Sequence, residues 1–216
     1  TVARALTVIE RNARAQLKIV EDILDVSRIV RGQLRLEPEP LDISNIATDV
    51  VDSLKPAVEA KGITLSTLGL GARTRMFVDP ERLRQILWNL LSNAEKFTPR
   101  SGQVTLALEP RAHEVLIRVS DTGRGIERSF LPHVFERFRQ ADASTTRHYG
   151  GLGLGLAIVR HLTELHGGTV SVRSAGPGRG AEFEVLLPIR SAEAQSTLAP
   201  STPPRPIRAA TAQNSR

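Results

Sequence analysis

Apolar residues recur at spacings of three and four from the start of the chain. Leu6, Ile9, Ala13, Leu17, Val20 and Leu24, continuing to Ser27, form a narrow stripe that predicts one long helix over residues 4–31. Gly32 is a natural stop, and 36-LEPEPLDI-43 reads as a proline-punctuated connection. A lone helix cannot bury such a stripe, so it needs a partner helix from another chain or from upstream sequence. Residues 44–60 predict a second helix with Ser44 as N-cap, followed by strands at 63–67 and 75–78. Asp79 caps the next helix, which has Pro80 at its first position and continues through 81-ERLRQILWNLLSNAEKF-97. Strands follow at 103–109 and 114–120, the second alternating Val115, Ile117 and Val119. A polar, irregular region leads to a glycine cluster that opens a helix over 152–165, ended by Gly167 and Gly168. Strands at 169–174 and 181–187, joined by the turn 176-GPGRG-180, complete the domain. The Pro-, Ala-, Ser- and Thr-rich segment 190–216 reads as a disordered linker or tail, and no internal repeat is present.

Composition changes this picture little. With 216 residues, 40% hydrophobic and 24% charged, the chain suits one substantial domain plus an appendage. No apolar run approaches the ~20 residues that span a bilayer, and no secretory signal opens the chain. The chain starts at Thr1 rather than Met, which reads as a fragment or a processed product. The absence of cysteine excludes disulfides and thiolate metal sites and fits a reducing cytoplasm; a longer parent leaves room for a membrane anchor. The five histidines show no zinc-ligand spacing. The net charge of +6 invites a nucleic-acid reading, yet half of it comes from Arg190, Arg205, Arg208 and Arg216 set against Glu193 in the tail. Elsewhere bases and acids are mixed and aromatic residues are sparse, so nucleic acid is not expected as a partner.

Candidate chemistry begins with the glycines of 148-HYGGLGLGLAIVRHL-162. Glycine costs conformational entropy on folding, so a cluster at the mouth of a helix needs a reason. A plain loop, close backbone packing and a phosphate cradle compete. The Walker A pattern fails, because Gly155 is followed by Leu156 rather than Lys. The Rossmann spacing fails too, since neither Gly151-x-Gly153 nor Gly153-x-Gly155 has a glycine three further on. A helix N-terminus with unhindered N–H groups is still a good anion site. On the helix at 81–97, Asn89, Asn93 and Lys96 share one face, while Leu87, Leu90, Leu91 and Ala94 face the core. The bland reading is a solvated face, yet Asn is a poor helix former and two in one register are a cost. Alternatively, an Asn amide oxygen is a hard ligand suited to Mg²⁺, and Lys96 can neutralise phosphate. The stretch 121-DTGRGI-126 directly follows a strand and is either a simple turn or a base pocket. In the second case its carboxylate accepts a hydrogen bond from an exocyclic amine such as that of adenine.

The order and separation of these boxes are specific. The stretches 89-NLLSNAEKFTP-99, 121-DTGRGI-126, 135-FERF-138 and 150-GGLGLGLAIV-159 resemble those of the sensor histidine kinase ATP-binding domain. That domain has the Bergerat-type fold shared with gyrase-type and chaperone ATPases. The resemblance covers residues 40–188 and implies a two-layer α/β sandwich preceded by one long helix of a dimerisation hairpin. Residues 1–35 then correspond to the second hairpin helix, 36–43 to a linker, 44–189 to the ATP-binding domain with a lid at about 127–150, and 190–216 to a tail. By the same resemblance Asn93 coordinates Mg²⁺, Asn89 supports the ion and the phosphates, and Lys96 touches phosphate. Asp121 reads adenine, Gly123 and Gly125 shape the base pocket, and Ile126 belongs to the nucleotide site. N–H groups of Gly151, Leu152, Gly153, Leu154 and Gly155 wrap the phosphates, with Arg137, Arg139 and Arg147 as lid residues for the γ-phosphate.

Position 89 separates relatives. ATP-hydrolysing members of the superfamily carry a Glu there that activates water, and Asn cannot act as a base. This favours transfer of the γ-phosphoryl to a protein histidine in two-component signalling. Partners implied are a histidine-bearing dimerisation domain, a response regulator receiver domain, and a second copy through residues 4–31. No His precedes His113, so autophosphorylation of this chain alone is not expected. Glu95 departs from the apolar residue usual at its position, and Leu152 is a variant common in hybrid kinases. The alternatives are an inert nucleotide- or partner-binding module and a serine kinase of the anti-sigma type.

Overall fold

In the computed structural model residues 2–140 and 152–189 are described; for residues 2–8, 10–12, 14 and 15 only the backbone is. The first helix, α1, spans Val2–Val30. A short strand β1 (Glu39–Asp42) lies within the stretch expected to be only a connection, and it pairs antiparallel with β3 (Arg75–Val78). Between them run α2 (Ile43–Lys61) and β2 (Thr64–Leu68). The N-cap of α2 is Asp42, whose carboxylate accepts the Ser44 N–H at 3.1 Å, so the cap sits two residues before the expected Ser44. Gly62, at φ +68°, ends α2 in the left-handed conformation.

Helix α3 (Pro80–Phe97) begins as expected, with the Asp79 carboxylate accepting the Arg82 N–H at 3.1 Å and Pro80 in the first turn. Strands β4 (Gln103–Pro110) and β5 (Glu114–Asp121) follow. After a one-turn 3₁₀ helix at Leu131–His133 come α4 (Gly155–Leu165), β6 (Thr169–Arg173) and β7 (Ala181–Pro188). Helix α4 starts three residues later than the apolar pattern suggests, because no side chain caps it and Gly153, at φ +69°, breaks the helical path just before it.

The main sheet has the order β2-β4-β5-β7-β6, with β2 parallel to β4 and every other pair antiparallel. Its inner face, with Val104, Leu106, Ile117, Val119 and Val185, packs in one core with α2, α3 and α4. The outer face is polar and cross-linked: Arg118 pairs with Glu109 at 2.6 Å and with Glu184 at 3.2 Å. The result is the two-layer sandwich the sequence implies. Among the described residues no helix is long and apolar enough to cross a membrane.

Two polar nodes tie α3 to its surroundings. The Asp79 carboxylate also accepts the Glu37 N–H at 2.9 Å, and its own N–H donates to His166 Nε2 at 3.3 Å. The second node docks α1. Arg82 Nη1 donates to both oxygens of buried Asp25 at 3.2 Å, and Gln85 Nε2 donates to Asp25 Oδ2 at 2.6 Å. Ile29 and Leu34 add apolar contact beside it, whereas Ile9, Leu17, Val20 and Leu24 of the predicted stripe stay exposed.

Asp79→Ala removes the α3 cap and leaves the Glu37 N–H without its acceptor. The expected cost is about 1–3 kcal/mol. Urea unfolding followed by circular dichroism should show a lower midpoint with an unchanged slope; an unchanged midpoint would refute the role given to this node.

Candidate functional site

Leu87, Leu90, Leu91 and Ala94 of α3 point into the core, which leaves Asn89, Asn93 and Lys96 along the opposite edge. That edge borders a cavity of about 840 Å³. Asn89 is only 4% exposed, so it belongs to no solvated face, and its Nδ2 has no hydrogen-bond partner among the described residues. A buried amide left in that state costs roughly 1–3 kcal/mol. Gly155 opens α4 directly against it: a Cβ there would lie 3.4 Å from Asn89 Oδ1. Asn93 and Lys96 are half-buried on the same wall. Burial pushes the Lys96 ammonium below its ordinary value, and the positive charge of Arg124 adds to the effect.

The opposite wall starts at Asp121, the last residue of β5. Its Oδ1 accepts the Gly123 N–H at 2.8 Å and the Ala181 N–H at 3.3 Å. Burial raises the Asp121 carboxyl above its ordinary value, and these two hydrogen bonds oppose the shift without cancelling it. A Cβ at Gly123 would lie 2.5 Å from the Phe97 carbonyl oxygen, and one at Gly125 would run into the Gly176 carbonyl oxygen. These glycines are required because backbones meet there. Ile126 lines the cavity and donates its N–H to Ser174 Oγ at 3.0 Å.

The described part of the glycine box meets the segment around Phe138. Gly153, at φ +69°, lines the cavity with Leu152, Leu154 and Gly155, and its carbonyl accepts the Phe138 N–H at 3.1 Å. Phe138 itself sits at φ +61°, a costly conformation for an aromatic residue. Phe135 anchors the segment by an edge-to-face contact with Phe183, ring centres 6.3 Å apart. Arg139 lines the cavity and pairs with Glu136 at 2.9 Å. Arg137 is exposed and does not line the cavity; it lies near His161, which burial holds below its ordinary value, with Glu164 opposing and Arg137 reinforcing the shift. Gly151 and Arg147 lie outside the described residues, as does much of the expected lid.

Several cavity residues had no assigned role in the sequence reading. Arg124 lies over the Phe97 ring, 4.1 Å from its centre, and Lys96 Nζ is 4.9 Å from the same centre. Arg124 and Phe97 sit inside boxes whose spacing was recognised, so the signal was present. Pro177 and Phe183 arrive from the far end of the domain, and Lys18 and Asp22, paired at 2.8 Å, arrive from α1. Glu95 departs from the usual apolar character harmlessly, because it faces Lys61 at 3.4 Å. Lys61 also donates to the carbonyls of Glu95 and Lys96 at the end of α3, where a cation suits the helix dipole. Arg124 has no carboxylate within ion-pair distance among the described residues, and the positive charges of Arg124 and Lys96 lie close enough on this wall to interact.

Residues 78–191 match the family described as Histidine kinase-, DNA gyrase B-, and HSP90-like ATPase. The chain belongs to that family. It is 41% identical over 192 residues to the circadian input-output histidine kinase CikA of Synechococcus elongatus, covering 88% of this chain and 24% of CikA. It is 34% identical over 220 residues to hybrid signal transduction histidine kinase D of Dictyostelium discoideum, covering 88% and 14% respectively. The chain therefore spans a quarter or less of the length of these curated relatives. Among solved structures, full-length ShkA in complex with AMPPNP superposes with a TM-score of 0.73 at 33% identity, over 89% of this chain and 40% of ShkA. The histidine kinase AdeS of Acinetobacter baumannii shares the fold at 20% identity, with a TM-score of 0.69 over 86% of this chain and 84% of AdeS.

Asn89→Leu, near-isosteric, removes the unpartnered amide of this ATPase-family site. Thermal unfolding should show unchanged or raised stability, while nucleotide affinity falls at least about tenfold. Retained affinity would show that the buried amide serves packing only.

Proposed function

We propose that the chain is the ATP-binding catalytic part of a two-component histidine kinase, transferring the γ-phosphoryl of Mg·ATP to a histidine on a dimerisation domain. The observation that carries this reading is Asn89. It occupies the position where a hydrolytic relative would place a general base, yet it is buried in the cavity wall with an unpartnered amide. An amide orients groups but takes no proton from water, so transfer to a protein acceptor is favoured over hydrolysis. The AMPPNP complex of ShkA supports nucleotide binding at such a site, and the relatives named as histidine kinases favour the kinase reading.

Asp121 would take the adenine amine, and Lys96 with the backbone N–H groups from Gly151 to Gly155 would hold the phosphates. The chemistry of the wall fits Mg²⁺ arriving with its nucleotide. Among the described residues no cluster of three acidic, His or Cys side chains could hold the ion alone, but Asn93 borders the cavity one turn from buried Asn89 and its amide oxygen would serve as a ligand. Mg²⁺ bound there supplies charge neutralisation for the phosphates. The rest of the catalysis is positioning by the chain's own side chains. The exposed stripe of α1 would pair with another hairpin helix, giving a homodimer, and a receiver domain would take the phosphoryl onward.

Calorimetric titration with Mg·ATP should show binding that Asp121→Asn sharply weakens. Asp121 accepts the adenine amine most strongly when ionised, and its folded-state pKa is raised, so affinity weakens as pH drops through that raised value. The same raised value means that protonation favours the folded free protein, so stability and affinity move in opposite directions on acidification. Label transfer from ATP to a supplied histidine-bearing hairpin should follow. Binding without any transfer would favour an inert module, and no binding by the folded parent would overturn the kinase reading.

A further inference from the structure

The wall around Asp121 consists of two backbone segments: the loop 122–126 after β5 and the turn 174–180 between β6 and β7. They touch without side chains between them. A Cβ at Gly125 would strike the Gly176 carbonyl, and one at Gly180, at φ +68°, would strike the Asp121 carbonyl. Gly178 N–H donates to the Arg124 carbonyl at 2.6 Å, and Gly180 N–H donates to the Gly123 carbonyl at 3.1 Å. Two side chains bridge the same segments. Asp121 Oδ1 takes N–H groups from both Gly123 and Ala181. Ser174 Oγ accepts the Ile126 N–H at 3.0 Å and the Gly176 N–H at 3.3 Å, and donates to the Gly180 carbonyl at 2.6 Å. A serine hydroxyl offers one donor and two acceptor sites, and all three are used.

We propose that Ser174 is the positioning residue of the base pocket, clasping the β6–β7 turn to the 122–126 loop so that Asp121 presents one fixed oxygen to a purine amine. The inference rests on the ATP reading of the site and adds to it the origin of base discrimination. Oδ1 is committed to two backbone N–H groups that come from opposite sides of the clasp. That leaves Oδ2 to meet the exocyclic amine, in a direction fixed only while the two segments keep their spacing. Adenine offers a donor at that edge, whereas guanine offers a carbonyl oxygen at the equivalent position. A carboxylate held in one orientation rejects the second more strongly than one that can turn away. Pro177 lines the cavity from the same turn, so the clasp also sets the width of the slot.

The test uses the full chain with Ser174→Ala and Ser174→Thr, the latter keeping the hydroxyl. Amide hydrogen exchange at Ile126 reads the clasp without any nucleotide, and titrations with Mg·ATP and Mg·GTP read discrimination. In the alanine variant Ile126 should exchange about tenfold faster or more. ATP affinity should fall about two- to tenfold while GTP affinity changes less, so the ATP-to-GTP ratio drops. Threonine should restore both protection and ratio. Unchanged Ile126 exchange in the alanine variant overturns the clasp. Faster exchange with an unchanged ratio overturns the positioning role and leaves Ser174 a local structural contact. If the parent binds no ATP, the kinase reading and the discrimination built on it fall together, while Ile126 exchange still decides whether the clasp exists.

Discussion

The cap on α3 is the constraint from which the site follows. Asp79 gives its carboxylate to Arg82 and Glu37 and its N–H to His166, so a single buried residue fixes where the helix starts and how it meets the linker and α4. At 3.6 residues per turn, Arg82, Gln85, Asn89, Asn93 and Lys96 then fall along one side. The leucines on the other side hold that orientation by burial. The first two polar residues grip α1 through Asp25, and the last three border the cavity. Rotating α3 by one residue, about 100°, would lose both contacts at once and bury charge instead of leucine.

Local costs gather around that helix. The unpartnered Asn89 amide, a cation partly removed from water at Lys96 and a carboxyl raised by burial at Asp121 all border the same cavity, and Phe138 holds its positive φ next to Arg139 on the cavity wall. Each is unfavourable in the free chain, and under the function proposed above a bound nucleotide would offset most of them, with an acceptor for the asparagine and a donor for the carboxylate. A domain selected only for stability would keep few such features, and the core behind them, fully apolar along α3 and the inner sheet face, carries none.

What could be read from the sequence follows the range of the interaction. Helix α3 was legible from its own residues: an Asp cap, a proline at the first position and a strict apolar period. Strands β4, β5 and β7 were legible by alternation. Strand β1 was missed because Glu39–Asp42 contains a proline, lies between other loop signals and owes its extended form to pairing with β3. The α2 cap was placed at Ser44 because Ser and Asp are equivalent cap residues, and only the tertiary bond from Thr74 to Asp42 distinguishes them. Asn89, Asn93, Lys96, Asp121, Gly125, Gly153 and Gly155, which border the cavity, were legible because they fall in short, ordered boxes. Ser174 was not found. Its hydrogen bond to Ile126 joins residues 48 positions apart, and nothing in a turn rich in glycine marks which serine is bonded.

Helix α1 shows the same division within one element. The apolar period picked out Ile9, Leu17, Val20 and Leu24, which are exposed, and said nothing of Lys18, Asp22, Asp25 and Ile29 one position around the helix. That second set also recurs at four, three and four residues, and it is the one that faces the ATP-binding domain: Lys18 and Asp22 line the cavity, Asp25 binds Arg82, and Ile29 enters the core. A mixed polar and apolar stripe escapes a search for hydrophobic periodicity because its contacts are charge-assisted hydrogen bonds rather than buried methyls. The two stripes sit on one rigid rod. The outer stripe stays exposed while the inner one meets the cavity wall and the core, so one helix presents two faces of different chemistry.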